Sequence, residues 1–183
     1  MKLVKKIINR IKLKYYNRTY EGKVKYLRSK GAKVGKNLRL NCDTSCFGTE
    51  PYLIEVGDNC LFASGVKLTT HDGGIMVLNN LNKFDGTKMD KMAPIKIGSN
   101  VYIGMNAMVM QGVTVGDNVI IGAGAIVTKD IPSNSVAVGI PARVIKTVDE
   151  YYKNVAGGGT LYPTIGLPWE EKRKYLENAI YNN

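Results

Sequence analysis

Residues 97–132 read IGSNVY IGMNAM VMQGVT VGDNVI IGAGAI VTKDIP, six hexapeptides in one phase. Their first positions are Ile97, Ile103, Val109, Val115, Ile121 and Val127, all aliphatic, and four are followed by glycine: Gly98, Gly104, Gly116 and Gly122. The fifth positions are also apolar: Val101, Ala107, Val113, Val119, Ala125 and Ile131. A period of six does not fit an amphipathic helix. It fits a short strand ending in a turn, with the aliphatic residue inward and glycine relieving the corner. Three such pieces close a triangular coil of about eighteen residues. Coils then stack at roughly 4.8 Å, because no hexad buries its apolar residue alone. Sandwich strands would not hold phase over six units, so the pattern predicts a parallel β-helix.

The same step appears earlier. Val34, Leu40 and Cys46, then Val56, Phe62 and Leu68, keep the interval of six apart from an insertion of four at residues 50–53. The prism therefore starts near residue 33. A longer interruption at residues 72–93, with Gly73-Gly74 and a polar stretch, predicts a loop leaving the prism, a place where function concentrates. After Ile145 the repeat stops, and residues 147–154 and 168–181 read as helical, joined through Gly157-Gly158-Gly159. Trp169, Leu176 and Ile180 share one apolar face of the second. The expected divisions are a basic helical arm at 1–32, the β-helix at 33–146 and a helical extension at 147–183.

The formal charge of +11 is unevenly placed. Residues 1–39 hold fourteen Lys and Arg against the single acid Glu21, leaving the rest of the chain slightly acidic. Leu3, Val4, Ile7, Ile8, Ile11 and Tyr15 fall on one helical face of this arm. Such a basic amphipathic helix suits peripheral contact with an anionic membrane through residues 1–16, or a cover for the end of the prism. No nucleic-acid-binding motif accompanies the bases, so no nucleic-acid partner is expected. Lys12 and Lys14 interrupt the apolar stretch and no small-residue cleavage site follows, which argues against a signal peptide. Cys42, Cys46 and Cys60 are odd in number, and Cys46 and Cys60 fall on inward repeat positions as small apolar residues. The expected location is the reducing cytoplasm, with attachment to the inner face of the membrane as an option.

His71 is the sole histidine. It ends Leu68-Thr69-Thr70 where the long loop departs, a rigid edge able to present a side chain to a cleft. Neutral imidazole is suited to take a proton near physiological pH. Asp72 is adjacent to it, and Asp43, Glu50 and Glu55 are other carboxylates that sequence does not rank as its partner. Asp43 and Asp72 are the candidates for binding the acceptor substrate. Catalytic zinc normally needs three protein ligands, so no metal is expected with one histidine.

Ile95-Lys96-Ile97-Gly98-Ser99-Asn100-Val101-Tyr102-Ile103-Gly104 resembles the IGxxVWIG entry of the hexapeptide-repeat acyltransferases, with Tyr102 where tryptophan is usual. Gly112-Val113-Thr114-Val115-Gly116-Asp117-Asn118 is similar to their GVTIGDN coil. Residues 121–132 resemble IGAGSVVTKDIP, and residues 138–145 resemble VGNPARVI with Ile140 in place of asparagine. Within that superfamily the chain looks most like the maltose/galactoside and polysaccharide O-acetyltransferases. The resemblance implies a left-handed β-helix, a homotrimer, acetyl-CoA as donor, active sites between subunits and a histidine base, for which His71 is the one candidate. It implies that Gly104, Met105, Gly122 and Ala123 flank the pantetheine arm of CoA. It places Thr128, Lys129, Arg143 and Lys146 at the nucleotide end, where cations suit phosphate. The expected reaction is acetylation of a sugar hydroxyl of a surface polysaccharide or its precursor, by direct attack with His71 as general base. Acetylation of an amino sugar or xenobiotic, or a non-catalytic β-helix scaffold, are the alternatives.

Overall fold

The computed structural model describes residue 13 and residues 15–181. Most of the basic amphipathic helix expected at residues 1–16, and with it the membrane contact, lies outside the described residues. The chain divides into two compact units, Met1–Val148 and Asp149–Asn183.

In the first unit most hexads become a short strand and a corner, while the one at Cys46 becomes a 3₁₀ turn over Thr44–Phe47. One face stacks β1 (Lys33–Val34), β3 (Ile54–Val56), β6 (Ile95–Ile97) and β9 (Thr114–Val115) in parallel. The second stacks β2 (Arg39–Leu40), β4 (Leu61–Phe62), β7 (Val101–Ile103), β10 (Val119–Ile121) and β12 (Ser135–Val138). The third, which carries the site described below, stacks β5 (Lys67–Thr69), β8 (Met108–Met110) and β11 (Ile126–Val127). The molecule is a hexapeptide-repeat parallel β-helix.

The first positions of the hexads form three inward columns. Val56, Ile97 and Val115 line one, Phe62, Ile103 and Ile121 the next, and Leu68, Val109 and Val127 the third, all at 3% exposure or less. Burial at about 25 cal/mol per Å² of apolar surface makes these columns the main stabilising term. The fifth positions are buried too, including Cys60, which behaves as the small apolar residue its place predicts. Phase fails once. Ile131 pairs with Val115 and its carbonyl accepts from Gly116 N–H at 2.9 Å, so it occupies a first position, not a fifth. The turn at residues 128–130 is two residues shorter than its counterpart, which the apolar Ile131 conceals because it is buried in either phase.

One corner between the first two faces is built alike in successive coils. Asn37, Asn59, Asn100, Asn118 and Asn134 all have φ between 55° and 59°, a left-handed conformation asparagine tolerates. Their side-chain amides ladder, with Asn100 Nδ2 donating to Asn118 Oδ1 and Asn118 Nδ2 to Asn134 Oδ1, both at 2.9 Å. Beside them a second column alternates Asp58, Ser99, Asp117 and Ser133. Each side chain accepts from a backbone N–H of the coil below, as from Lys36 to Asp58, Asp58 to Ser99, Ser99 to Asp117 and Asp117 to Ser133. Stacking here requires glycine, because a Cβ on Gly98 would lie 2.8 Å from the Gly116 carbonyl carbon and oxygen. Gly98→Ala should therefore lose about 1–3 kcal/mol of stability, read as a lower denaturation midpoint; an unchanged midpoint would mean the coils slide apart freely.

The open first coil is covered by α1 (Tyr20–Ser29). Thr19 caps it, its Oγ1 accepting from Gly22 N–H at 3.0 Å, and Leu27 is fully buried beneath it. Lys23 Nζ donates to the Leu40 and Cys42 carbonyls, each at 2.7 Å, while Arg28 donates to those of Val34 and Gly35. These two bases of the arm thus satisfy carbonyls at the end of the solenoid. At the far end β13 (Arg143–Thr147) folds back antiparallel on β12.

Residues 72–93 leave the stack and carry α2 (Ile75–Asn80). Their neck is laced by an antiparallel bridge between His71 and Met92, by Asp72 N–H to Lys91 O at 2.9 Å, and by Ala93 N–H to Thr70 O at 3.0 Å. In the second unit α4 (Trp169–Tyr181) follows α3, which starts at the unit boundary (Val148–Ala156). Trp169 and Ile180 are exposed. Among the described residues, no helix is long and apolar enough to cross a membrane.

Candidate active site

His71 comes just after β5, with only Thr70 between them. Its backbone is held by Met92 on one side, and the preceding Thr70 is buried, so the imidazole stands on rigid structure at the root of the excursion. Nδ1 lies 3.0 Å from Glu50 Oε2. Glu50 comes from the inserted residues 50–53, which form a 3₁₀ turn over Pro51–Leu53 preceded by Glu50. The break in the repeat is therefore what delivers the carboxylate.

Glu50 is buried, at 9% exposure, and its charge is met on both oxygens. Thr49 Oγ1 donates to Oε1 at 2.5 Å, and Thr70 Oγ1 donates to Oε2 at 2.8 Å. The Thr49 hydroxyl first, then the Thr70 hydroxyl, hold its pKa below the ordinary carboxylate value, and His71 adds to this against the opposing effect of burial. An ionised carboxylate only accepts hydrogen bonds, so the Nδ1 of His71 carries the proton. In the neutral ring Nε2 then keeps its lone pair, the tautomer a proton acceptor needs.

His71 closes one end of a cleft of about 420 Å³ between β5 and the 3₁₀ turn Thr44–Phe47. Asn41, Asp43, Ser45, Ser64 and Thr69 set polar side chains into a wall that Val66 and Leu68 also line. Asp43 caps the 3₁₀ turn by accepting from Ser45 N–H at 2.8 Å and from the Ser45 hydroxyl. Of the carboxylates left open by sequence, Glu50 contacts the ring. Glu55 lies on another face, 3.5 Å from Lys33 Nζ. Asp72 does not line the cleft; its Oδ2 is 2.8 Å from Lys91 Nζ and its Oδ1 accepts from Gly74 N–H. The Lys91 contact, then the Gly74 N–H, lower its pKa. It ties the neck of the excursion.

Of the residues assigned to CoA, Gly104, Met105, Gly122, Ala123, Thr128 and Lys129 flank the same face, whereas Arg143 and Lys146 lie on β13, which pairs with β12 of the second face. Gly104-Met105 and Gly122-Ala123 stack on the corner where this face begins, and a Cβ on Gly104 would meet Ala123 N at 2.5 Å. Gly124 N–H donates to Met105 O at 2.7 Å, and Met105 and Ala123 are exposed. Thr128 and Lys129 follow β11 at the opposite corner, above His71 by two coils, roughly 10 Å at the usual strand spacing. Ala142 N–H donates to Ile126 O at 2.8 Å, which brings Arg143 to the same upper end. Lys146 sits farther along β13, paired with Val136. Between the two corners the outward side chains include Met108, Met110 and Ile126, a partly buried apolar strip above the cleft.

Thr49 and Thr70 were not singled out by sequence, and Glu50 was one of several. A usable signal existed: a polar Thr49-Glu50 pair at the point where the period is broken. The pairing with His71 spans twenty-one positions of sequence, which no local pattern encodes.

Residues 94–129 match the family model described as bacterial transferase hexapeptide (six repeats). The chain is 43% identical over 158 residues to Protein CapG of Staphylococcus aureus, covering 86% of this chain and 88% of that one. It is 38% identical over 121 residues to the Galactoside O-acetyltransferase of Escherichia coli (strain K12), covering 66% of this chain and 56% of the longer relative. Among solved structures it resembles a maltose O-acetyltransferase from Clostridium difficile 630, with a TM-score of 0.52, 32% identity, and coverage of 75% and 83% respectively.

Proposed function

The chain belongs to the hexapeptide-repeat acetyltransferases of the galactoside and maltose O-acetyltransferase type, and on that premise we propose that it moves acetyl from acetyl-CoA to a sugar hydroxyl of a surface polysaccharide or its precursor. The observation that carries this reading is the His71–Glu50 pair beside a cleft into which polar side chains are set. Acetyl-CoA, when bound, supplies a thioester carbonyl as electrophile. A sugar hydroxyl is a poor nucleophile unless its proton leaves as the new bond forms. His71 Nε2 takes that proton during direct attack and returns it to the departing sulfur. Glu50 stays ionised, fixes the tautomer and offsets the positive charge that develops on the ring. The side chains of Asn41, Asp43 and Ser45 in the cleft suit an acceptor rich in hydroxyls, whereas Asp72, away from the cleft, is left a structural tie.

The residues assigned to the donor fit its chemistry. The apolar strip of Met108, Met110 and Ile126 matches a pantetheine arm, and the exposed Lys129 and Arg143 match phosphates. Lys129→Ala combined with Arg143→Ala should raise KM for acetyl-CoA by about tenfold, roughly 1.4 kcal/mol, with kcat little changed. An unaltered KM would move the nucleotide end elsewhere. The assembly is read as a homotrimer, supported by the exposed apolar Met76, Val77, Leu78 and Leu81 of the excursion; sedimentation at any mass other than three 20.1 kDa chains would refute this.

The deciding experiment is thioester consumption with a panel of glycans, sugar nucleotides, amino sugars and small-molecule hydroxyl compounds. Turnover confined to amino sugars or xenobiotics would replace the acceptor class. Failure to bind acetyl-CoA in calorimetry would leave a non-catalytic prism.

A further inference from the structure

The cleft wall opposite β5 holds two thiols that acetyl transfer leaves unused. Cys42 and Cys46 flank Asp43, Thr44 and Ser45, and their Sγ atoms lie 2.7 Å apart, closer than two sulfurs in simple van der Waals contact. Both are free, both line the cleft that His71 closes, and both are only 6–8% exposed. A disulfide needs sulfurs about 2.05 Å apart and a local backbone that brings the two β-carbons together. The turn from Asp43 to Phe47 already aims the side chains at each other, so only a small closure remains.

We infer that Cys42 and Cys46 form a redox-active dithiol that a hydroperoxide converts to an intramolecular disulfide, slowing turnover at the adjoining cleft. The reaction balances in two steps. The Cys42 thiolate attacks one peroxide oxygen, the O–O bond breaks, and water leaves once the released oxygen is protonated, giving a sulfenic acid. The Cys46 sulfur then attacks the Cys42 sulfur, the S–O bond breaks, and the thiol proton leaves with the hydroxyl as a second water. Two thiols are oxidised, one peroxide is reduced, and a thiol reductant reverses the bond.

The surroundings favour Cys42 as the first nucleophile. The neighbouring Cys46 thiol, with a smaller contribution from the Lys23 ammonium, holds the Cys42 thiol below its ordinary value against the effect of burial. Lys23 is fixed there by its bonds to the Leu40 and Cys42 carbonyls. Cys46, with the Cys42 sulfur against it, is pushed up and stays a thiol. Cys60 differs: it is 1% exposed, burial raises its pKa, and its sulfur contacts the Gly98 carbonyl at 3.2 Å. It supplies the internal control.

The bond forms independently of the acetyl-transfer reading, while its effect on turnover rests on that reading. The full chain is treated with hydrogen peroxide, quenched, denatured, alkylated with iodoacetamide and weighed. The expected result is two fewer alkyl groups than the reduced chain takes, and a peptide containing Cys42 and Cys46 that is two hydrogens lighter. The chain stays unlinked to others on a non-reducing gel, and dithiothreitol restores it. Cys60→Ser should behave like the parent, whereas Cys42→Ser and Cys46→Ser should form no internal bond. Oxidised parent should turn over acceptor several-fold more slowly, recovering with dithiothreitol, while Cys42→Ser, which lacks the sulfur that meets the peroxide, shows no such reversible loss. Three alkylatable thiols after treatment, or a bond linking two chains, would overturn the dithiol; a complete internal bond with unchanged turnover would overturn its control of the cleft.

Discussion

His71→Ala is expected to lower kcat by on the order of 10²–10⁴ while acetyl-CoA still binds. The range follows from the role: a general base contributes to proton transfer as the bond forms, not to holding the donor. The fold should survive, because the ring is exposed at the side of the cleft and its polar contact is with Glu50. The assay is steady-state turnover with an excess of both substrates, accompanied by calorimetric titration of acetyl-CoA into the variant. Full turnover in the alanine variant would remove His71 from the proton path. Loss of donor binding together with turnover would mean that the ring supports the donor site.

Glu50→Gln is expected to lower kcat by about 10²–10³ with a smaller change in KM. The substitution keeps the size of the side chain, but an amide can turn its NH₂ toward Nδ1. The proton would then move to Nε2, and the face meant to accept the hydroxyl proton would carry one already. Two threonine hydroxyls now donating to a charged oxygen pair would meet a neutral amide, so some stability is lost as well. The pH dependence of that stability has a definite sign. The folded pKa of Glu50 lies below its unfolded value, so its contribution is fully present above the unfolded value. It is lost as pH falls through the folded one. Parent and Glu50→Gln unfolding midpoints should therefore converge in acid, and a gap that widens on acidification would contradict an ionised Glu50. Circular dichroism of the variant at neutral pH separates a lost tautomer from a lost fold.

The sequence carried the prism well because the core is periodic and the period is set by the chain's own geometry. Val56, Phe62 and Leu68 could be placed on three separate faces by counting alone, and so could Ile97, Ile103 and Val109. Counting fails where a turn changes length without changing polarity, as at Thr128–Lys129–Asp130 before Ile131. The helices after the repeat were readable to within about two residues, since Gly157-Gly158-Gly159 and Pro168 punctuate them. The site was less legible for a physical reason. His71 could be found because it is the one imidazole, but its partner comes from another coil, across a break in register. Only its place beside Thr49 at the break in the period separates Glu50, whose carboxylate meets two hydroxyls and a ring, from Glu55, whose carboxylate faces a lysine at the surface.

The alternating Asp58, Ser99, Asp117 and Ser133 column sets a rule for how this architecture can lengthen. Carboxylates two rungs apart are separated by roughly 10 Å, near the Debye length at moderate salt, so their repulsion does not accumulate along the edge. Duplicating a single rung that bears Asp117 would bring two anions to about 4.8 Å in a column with no cation between them. Duplicating a Ser-and-Asp pair of rungs would preserve the spacing. Growth of the prism by gene duplication or by design is thus quantised in twos on this edge, and a chain extended by one rung needs a neutral residue there.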